Sequence, residues 1–470
     1  MQRLKTYSKE FAQETTTHGV AQLAKDGSKL RVFVYAVALL ASSALLLYIL
    51  TMSIIRYRSG DSYIDVTIER KDNLTFPSVT ICPLSFMSRG MFAREFPEID
   101  FEFFQETLQF GPFGINYDVE TDEEFHNISR IQESLQRYLA TTYNTLFLNS
   151  WQSNDIFLRC VFDSRVINCS DYISTVFTDL GYCHTFHSRD VAMRRGPLVD
   201  AYANRLFGII LTLDANPDDY LYTSFMSSGF AVIINDLDVF PVTDGKSIFI
   251  GPGHSTDIAL EKEIHTKLPP PFSKEDCVDD VDSEDDYFMG FPYSSKSCYF
   301  LCVTNAYFER CGCFLQGDNS SEDCTANDML QCGLGEGTFD AFKECTSRCR
   351  RTCTSTKYIP TISTSAYPNP IAVEVARRLN FPAQNESAIR RRLLELSLHF
   401  ATLDETRVTQ HPRYEPFEIF SNFGGMLGLC LGVSLISLLE LCEFLLRLLL
   451  ICCKRSELEA KVHVHLNGSS

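Results

Sequence analysis

Two apolar runs near the ends of the chain constrain it most. Val32 to Ile55 is 24 residues without a charge, bracketed by Lys29 and Arg31 before it and Arg56 and Arg58 after it. A helix of about 20 residues crosses the hydrocarbon core of a bilayer, so this run is long enough to span one. A signal peptide fits poorly. The run is too long, 31 residues precede it, and no small-residue cleavage site stands out. The second run starts at Phe417 and ends at Cys453, before Lys454 and Arg455. Within it, Ile419 to Leu439 is 21 uncharged residues, followed by Glu440, Glu443 and Arg447. Charges at membrane depth are costly unless they face protein or water. Two accounts stand. One is a helix end emerging into cytosol with Glu443 and Arg447 paired at i, i+4. The other is a helix lining an aqueous path.

The segment between the runs carries fourteen of the 18 cysteines, and Cys430, Cys442, Cys452 and Cys453 lie in or beside the second run. An even count confined to one side reads as disulfides in an oxidising compartment. Zinc is disfavoured because the short spacings are CxxxC and CxC rather than CxxC. Sequons at Asn73, Asn127, Asn319 and Asn385 agree with an outer location, and a further one at Asn168 contains Cys169. The expected order is therefore a cytosolic N-terminus (1–31), a first span (32–55), an extracellular domain (56–416), a second span (417–453) and a cytosolic tail (454–470). The lysine and arginine count agrees weakly with this orientation, so the cysteines carry it.

Charge narrows the function. The chain has a formal charge of -18, which disfavours a nucleic-acid binder relying on counterion release. The stretch Arg56 to Glu418 holds 32 Lys/Arg and 53 Asp/Glu, and such a surface concentrates cations within a screening length. No HExxH, GxSxG or GxxxxGK[ST] motif appears, His254 and His265 read as isolated loop residues, and no enzyme activity, cofactor or structural metal is expected. Asp276 to Asp286 reads as a solvated acidic loop, since the EF-hand spacing is missing.

The outer segment reads as α+β. Strand-like pieces are Phe76–Ile81, Gly208–Leu213, Phe230–Ile234 and Ser247–Ile250. Helical pieces are Glu123–Leu139, Ser297–Arg310, Phe339–Arg348 and Ile371–Leu379. Pro269 to Pro271 form a stiff connector. Cys298 and Cys302 lie one helical turn apart, as do Cys345, Cys349 and Cys353. Two antiparallel edges of this kind can be cross-linked like a ladder. Nesting then pairs Cys302 with Cys345, Cys298 with Cys349 and Cys277 with Cys353, and likewise Cys313 with Cys324 and Cys311 with Cys332. Spacing alone leaves the connectivity open.

The second run is unusual in its interior. Gly424, Gly428 and Gly432 recur at i, i+4, with Gly425 beside the first. Small residues let helices approach closely, and glycine also permits a break in a helix. Ordinary helix packing explains the glycines but not the series Ser434, Ser437, Glu440, Glu443. Spacing of three drifts about 60° per step, so the series is a winding polar stripe. A Gly-broken segment ending in carboxylates suits a cation conduit.

The Gly424 to Glu440 run resembles the pore signature of the degenerin/epithelial sodium channel family, which includes acid-sensing channels. Leu74-Thr75-Phe76-Pro77-Ser78-Val79-Thr80-Ile81-Cys82 is similar to that family's segment after the first span. His18-Gly19 is similar to its cytosolic His-Gly pair, and Leu268-Pro269-Pro270-Pro271-Phe272 also fits. The resemblance covers nearly the whole chain. It implies a membrane protein with two transmembrane helices and a large disulfide-rich α+β extracellular domain, assembled in a trimeric acid-sensing-channel-like, hand-shaped fold. It implies voltage-independent, amiloride-sensitive, sodium-preferring conduction at the plasma membrane. The partners implied are related subunits in a homo- or heterotrimer, permeant sodium, amiloride-type blockers and an extracellular ligand such as a peptide or protons, with mechanical load or constitutive opening as alternatives to a ligand. Gly432, Val433 and Ser434 would form the selectivity belt, with Glu440 and Glu443 as an acidic vestibule below. His18 and Gly19 would belong to a re-entrant segment, and Ser421 would be the position where bulky side chains hold the channel open. Gly424 and Gly425 join these as gating positions. The resemblance adds the pairs Cys82 to Cys183 and Cys160 to Cys169.

The chain departs from the family pattern at four places. Val433 stands where Ala or Ser is usual, Asp65 stands where acid-sensing channels carry His before Val66-Thr67, and Phe272 replaces the usual Trp. Asp218-Asp219 resembles the acidic finger pair without clear thumb partners. A rival function with the same two-span layout is a glycosylated scavenger-type receptor without a pore, which would need neither the glycines nor Glu440 and Glu443.

Overall fold

The computed structural model describes residues 11–17, 19–25, 28–85, 87–95, 97, 101–102, 150–178, 180–220, 227–243, 247–274, 276–278, 291–313, 343–378, 381 and 385–447. These fall into two compact units. One gathers residues 1–63, 268–275 and 410–470, and the other holds 64–267 and 276–409. The pairs Cys311–Cys332 and Cys313–Cys324, the sequons at Asn127 and Asn319, the expected helix Glu123–Leu139, His18 and the tail 454–470 lie wholly or partly outside the described residues.

In the larger unit, strands rich in β-branched and aromatic residues build two sheets, and the central strand Ser78–Pro83 is buried along its whole length. The seven-stranded mixed sheet runs Thr354–Ala366, His254–Thr266, Leu393–Pro412, Ile209–Asp214, Phe157–Phe162 and Arg165–Ile167, with Ser62–Arg70 also paired on Leu393–Pro412. His254–Thr266 lies parallel to Leu393–Pro412, and the register jumps from Leu260 opposite Phe400 to Lys262 opposite Glu405. The five-stranded sheet runs Ile248–Ile250, Phe230–Asn235, Ser78–Pro83, Gly181–Phe186 and Ile173–Thr178. One hydrophobic core is shared by both. Val79, Ile81 and Val232 from the small sheet and Leu211, Leu396 and Phe400 from the large one bury there with Phe76. His254 and His265 are strand residues rather than isolated loop residues: they begin and nearly end a 13-residue strand, which alternation across Ser255 to Ile264 supports.

Disulfides join Cys82 to Cys183, Cys160 to Cys169, Cys277 to Cys353, Cys298 to Cys349 and Cys302 to Cys345. The last three form the nested ladder that helical spacing suggests. Cys298 and Cys302 project from one face of the helix Ser295–Cys311, which starts on a Ser294–Ser297 capping box and ends on left-handed Gly312. Cys311 and Cys313 are also disulfide-bonded.

In the smaller unit, Lys29–Arg58 is a 30-residue helix, longer at each end than the uncharged run. Ser28 caps it by accepting a hydrogen bond from the Arg31 N–H. Among the described residues this helix alone is long and apolar enough to cross a membrane by itself. The second apolar run is not one helix over 417–453. It forms two arms, Phe417–Leu431 and Leu435–Arg447, bent by 78° at a short break.

Candidate functional site

The break falls at 432–434. The upstream helix, Pro416–Leu431, starts with proline in its first turn and ends on Gly432 at φ 65°, ψ 20°. Left-handed backbone is cheap only for glycine. The Gly432 N–H closes the helix on the Gly428 carbonyl at 2.9 Å. Gly432 is thus a cap and does not share a helix face with Gly424 and Gly428 as the i, i+4 pattern suggests. The free space around Gly424 and Gly425 holds no heavy atom within 4 Å of where a Cβ would stand. Ser421 is exposed on the same arm.

The downstream arm restarts on a serine pair. The Ser434 N–H donates to Ser437 Oγ at 3.1 Å, and the Ser437 N–H donates back to Ser434 Oγ at 3.3 Å. This reciprocal cap gives the first half of the polar stripe a local job: it restarts the helix. Further along, Glu443 is engaged by Arg447 one turn on. Glu440 faces the N-terminal segment instead. Its Oε2 accepts from the Thr16 N–H at 3.2 Å, from Thr16 Oγ1 at 3.2 Å and from Thr15 Oγ1 at 3.5 Å. Thr16 Oγ1 also lies 2.7 Å from Ser437 Oγ, and Phe11 stacks on Phe444 at 4.2 Å. The two carboxylates that the sequence reads as one vestibule therefore have different partners. Gly19, at φ 85°, caps the start of the short helix Val20–Ala24.

A second cluster in this unit centres on Gln410, which sequence reasoning missed. Its Nε2 donates to Ser62 Oγ at 2.6 Å and to the Phe272 carbonyl at 3.0 Å, while its Oε1 accepts from the Leu268 N–H at 3.1 Å. The Arg413 N–H donates to the Asp61 carbonyl at 2.8 Å, and Tyr63 stacks with His411. The proline connector, the exit of the long helix and the approach to the broken helix are tied at one side chain. No motif marks a lone glutamine, so only proximity reveals it.

In the larger unit, one member of the acidic pair Asp218–Asp219 has a structural occupation. Asp219 Oδ1 accepts from the Gly90 N–H at 2.9 Å. Glu405 is buried between Lys262 (2.9 Å) and Arg407 (2.8 Å), with Lys71 at 3.9 Å. Burial pushes its carboxyl up, but hydrogen bonds from Lys262 and Arg407 and their charges outweigh that, and its pKa sits below the usual value. Asp214 receives two hydrogen bonds from Arg392, yet burial dominates and raises its pKa. Asn73 and Asn385 are exposed, and Asn385 Oδ1 caps a helix by accepting from the Ala388 N–H. No group of three or more metal-ligating side chains occurs among the described residues.

The described residues thus hold an apolar helix, a broken apolar helix with a polar restart and a disulfide-laddered α+β unit. The family model for the amiloride-sensitive sodium channel matches residues 11–444. The chain belongs to that family. Its curated relatives include "Acid-sensing ion channel 1C" of Danio rerio, 25% identical over 461 residues that cover 93% of this chain and 83% of that one. "Bile acid-sensitive ion channel" of Mus musculus is 24% identical over 459 residues, covering 94% and 87%. "Acid-sensing ion channel 2" of Rattus norvegicus is 26% identical over 462 residues, covering 93% and 86%.

Proposed function

We propose that this chain is a subunit of a trimeric, sodium-preferring, amiloride-blocked cation channel of the plasma membrane, with both termini cytosolic. The observation that carries the reading is the helix break at Gly432, Val433 and Ser434. Backbone carbonyls freed at such a break are the means by which a narrow pore favours a cation. Three copies of the broken helix enclose the conduit. Their 432–434 segments form its narrowest ring, and Glu440 lies beyond it as an attracting carboxylate. Glu443, paired with Arg447 in the same helix, contributes less field than an unpaired carboxylate. His18 and Gly19 follow in sequence on Thr15 and Thr16, the residues that meet the downstream arm.

The stimulus is extracellular, a peptide or protons. Relatives named for acid and bile-acid sensitivity support gating from outside. Asp65 in place of histidine, and Asp219 already engaged by a backbone N–H, favour a peptide over protons.

The test is voltage clamp of cells expressing this chain, alone and with related subunits, during sodium replacement, amiloride, acid pulses and a peptide panel. A current that reverses with the sodium gradient and is blocked by amiloride supports the reading. Surface-expressed protein that carries no alkali cation under any trigger or partner supports the pore-less receptor instead.

A further inference from the structure

We propose that Ser434, Ser437, Thr16 and Glu440 form a directed hydroxyl chain that turns the Ser434 hydroxyl proton toward Ser437 and leaves a lone pair of Ser434 Oγ for the ion, with Ser437 as the positioning residue. The inference rests on the reading of Gly432 to Ser434 as the ion-selective ring. It goes beyond that reading by assigning how one member is oriented.

The direction of the chain follows from counting protons. A carboxylate accepts only, whereas each hydroxyl has one proton and two lone pairs. Glu440 Oε2 takes the Thr16 hydroxyl proton at 3.2 Å. Thr16 Oγ1, having spent its proton, accepts from Ser437 Oγ at 2.7 Å. Ser437 Oγ in turn accepts from Ser434 Oγ at 3.2 Å and from the Ser434 N–H at 3.1 Å. Every hydroxyl proton therefore points away from residue 434 and toward the carboxylate. Ser434 Oγ gives one lone pair to the Ser437 N–H at 3.3 Å and keeps the other. That remaining lone pair, with no proton beside it, is what a passing cation meets. Such chains polarise one another, so the carboxylate strengthens the acceptor it never touches.

Burial points to Ser437 as the pivot. It is 6% exposed, while its neighbours Leu435 and Ile436 are 82% and 65% exposed. A buried hydroxyl without partners is costly, and Ser437 satisfies its own through Ser434 on one side and Thr16 on the other. The N-terminal segment thereby reaches the ring without approaching the ion.

The experiment has two arms on the full-length chain in membranes. The first is disulfide trapping, with peptide mapping by mass spectrometry, of Thr16→Cys with Ser437→Cys against Thr16→Cys with Leu439→Cys. A cross-link confined to the first pair is expected, and its absence overturns the proposal. The second arm reads the sodium-to-potassium permeability ratio from reversal potentials, with surface protein measured in parallel. Ser437→Ala is expected to lower the ratio about fivefold, the equivalent of one neutral hydrogen bond, whereas Ser437→Thr, which keeps the hydroxyl, restores it. A wild-type current with an unchanged ratio in Ser437→Ala overturns the proposal. A cross-link with a wild-type chain that conducts nothing under any trigger or with any related subunit sinks the channel reading, and the role given to Ser434 with it, while the contact itself survives.

Discussion

A Cβ on Gly60 would stand 1.9 Å from the carbonyl oxygen of Pro271. Gly60 also holds φ 67°, where side chains are strained. The turn that leaves the long helix and the proline connector therefore approach as closely as two backbones can. Gly60→Ala meets both penalties, and we expect a loss of about 2 kcal/mol or more. A lowered thermal midpoint of detergent-solubilised protein, with reduced surface delivery, checks this. An unchanged midpoint means that the close approach is absent.

Gln410 provides the polar half of the same junction. Gln410→Leu keeps the size but strands the Leu268 N–H and leaves the Phe272 carbonyl with Ser62 Oγ, at 3.3 Å, in place of two donors. Gln410→Glu keeps the acceptor and loses the donor. We expect Leu to damage stability more than Glu, by about 1 kcal/mol for the one half-buried N–H it strands. Thermal unfolding of the two variants side by side gives the order, and equal midpoints would discount the hub.

The pair Asp214–Arg392 is a buried ion pair, with side chains 6% and 17% exposed. Arg392 also lies over the Phe381 ring at 5.0 Å. Asp214→Asn leaves a guanidinium without its counter-charge, a change that costs about 3–5 kcal/mol in buried pairs. Asp214→Leu combined with Arg392→Met removes both charges and should recover most of that loss. The comparison needs only unfolding midpoints, and a double variant no better than the single one would refute the ion-pair account.

His184 and His187 are expected to make the larger unit acid-labile. His184 Nε2 lies 2.8 Å from the Trp151 carbonyl, and His187 Nε2 accepts from the Leu198 N–H at 2.9 Å. Burial holds both imidazoles below the ordinary histidine range, with the Trp151 and Pro77 carbonyls opposing it only in part. A depressed folded pKa means that the unfolded chain takes up protons first. The stability is then present above the unfolded value of about 6.5 and is lost as pH falls below it. Unfolding midpoints measured from pH 7.5 downward should decline through that window, and His187→Gln should flatten the decline. A midpoint that holds level to pH 5 would contradict the neutral assignment.

Ser421 stands exposed on the upstream arm. A bulky replacement such as Ser421→Phe should raise resting cation current severalfold over wild type at equal surface density. Current at the wild-type level would remove the gating role from this position.

The sequence alone determined what depends on local spacing. The uncharged run at 32–55 marked one membrane-length helix because hydrocarbon thickness sets its length. The recurrence of Cys345, Cys349 and Cys353 against Cys298 and Cys302 foretold the ladder because helical turns place those sulfurs on one edge. Glycines at 424, 428 and 432 announced a tight or broken helix, but spacing could not choose between a shared face and a cap. Spacing also foretold the pairing of Glu443 with Arg447 one turn on, but only the tertiary structure decided that Gly432 turns left-handed, that Glu440 faces Thr16, and that Gln410 gathers three segments. Those contacts join residues as far apart as 16 and 440, or 62 and 410. Hydrogen bonds between such distant positions follow from how the chain closes on itself, and no periodicity in a linear sequence records that closure.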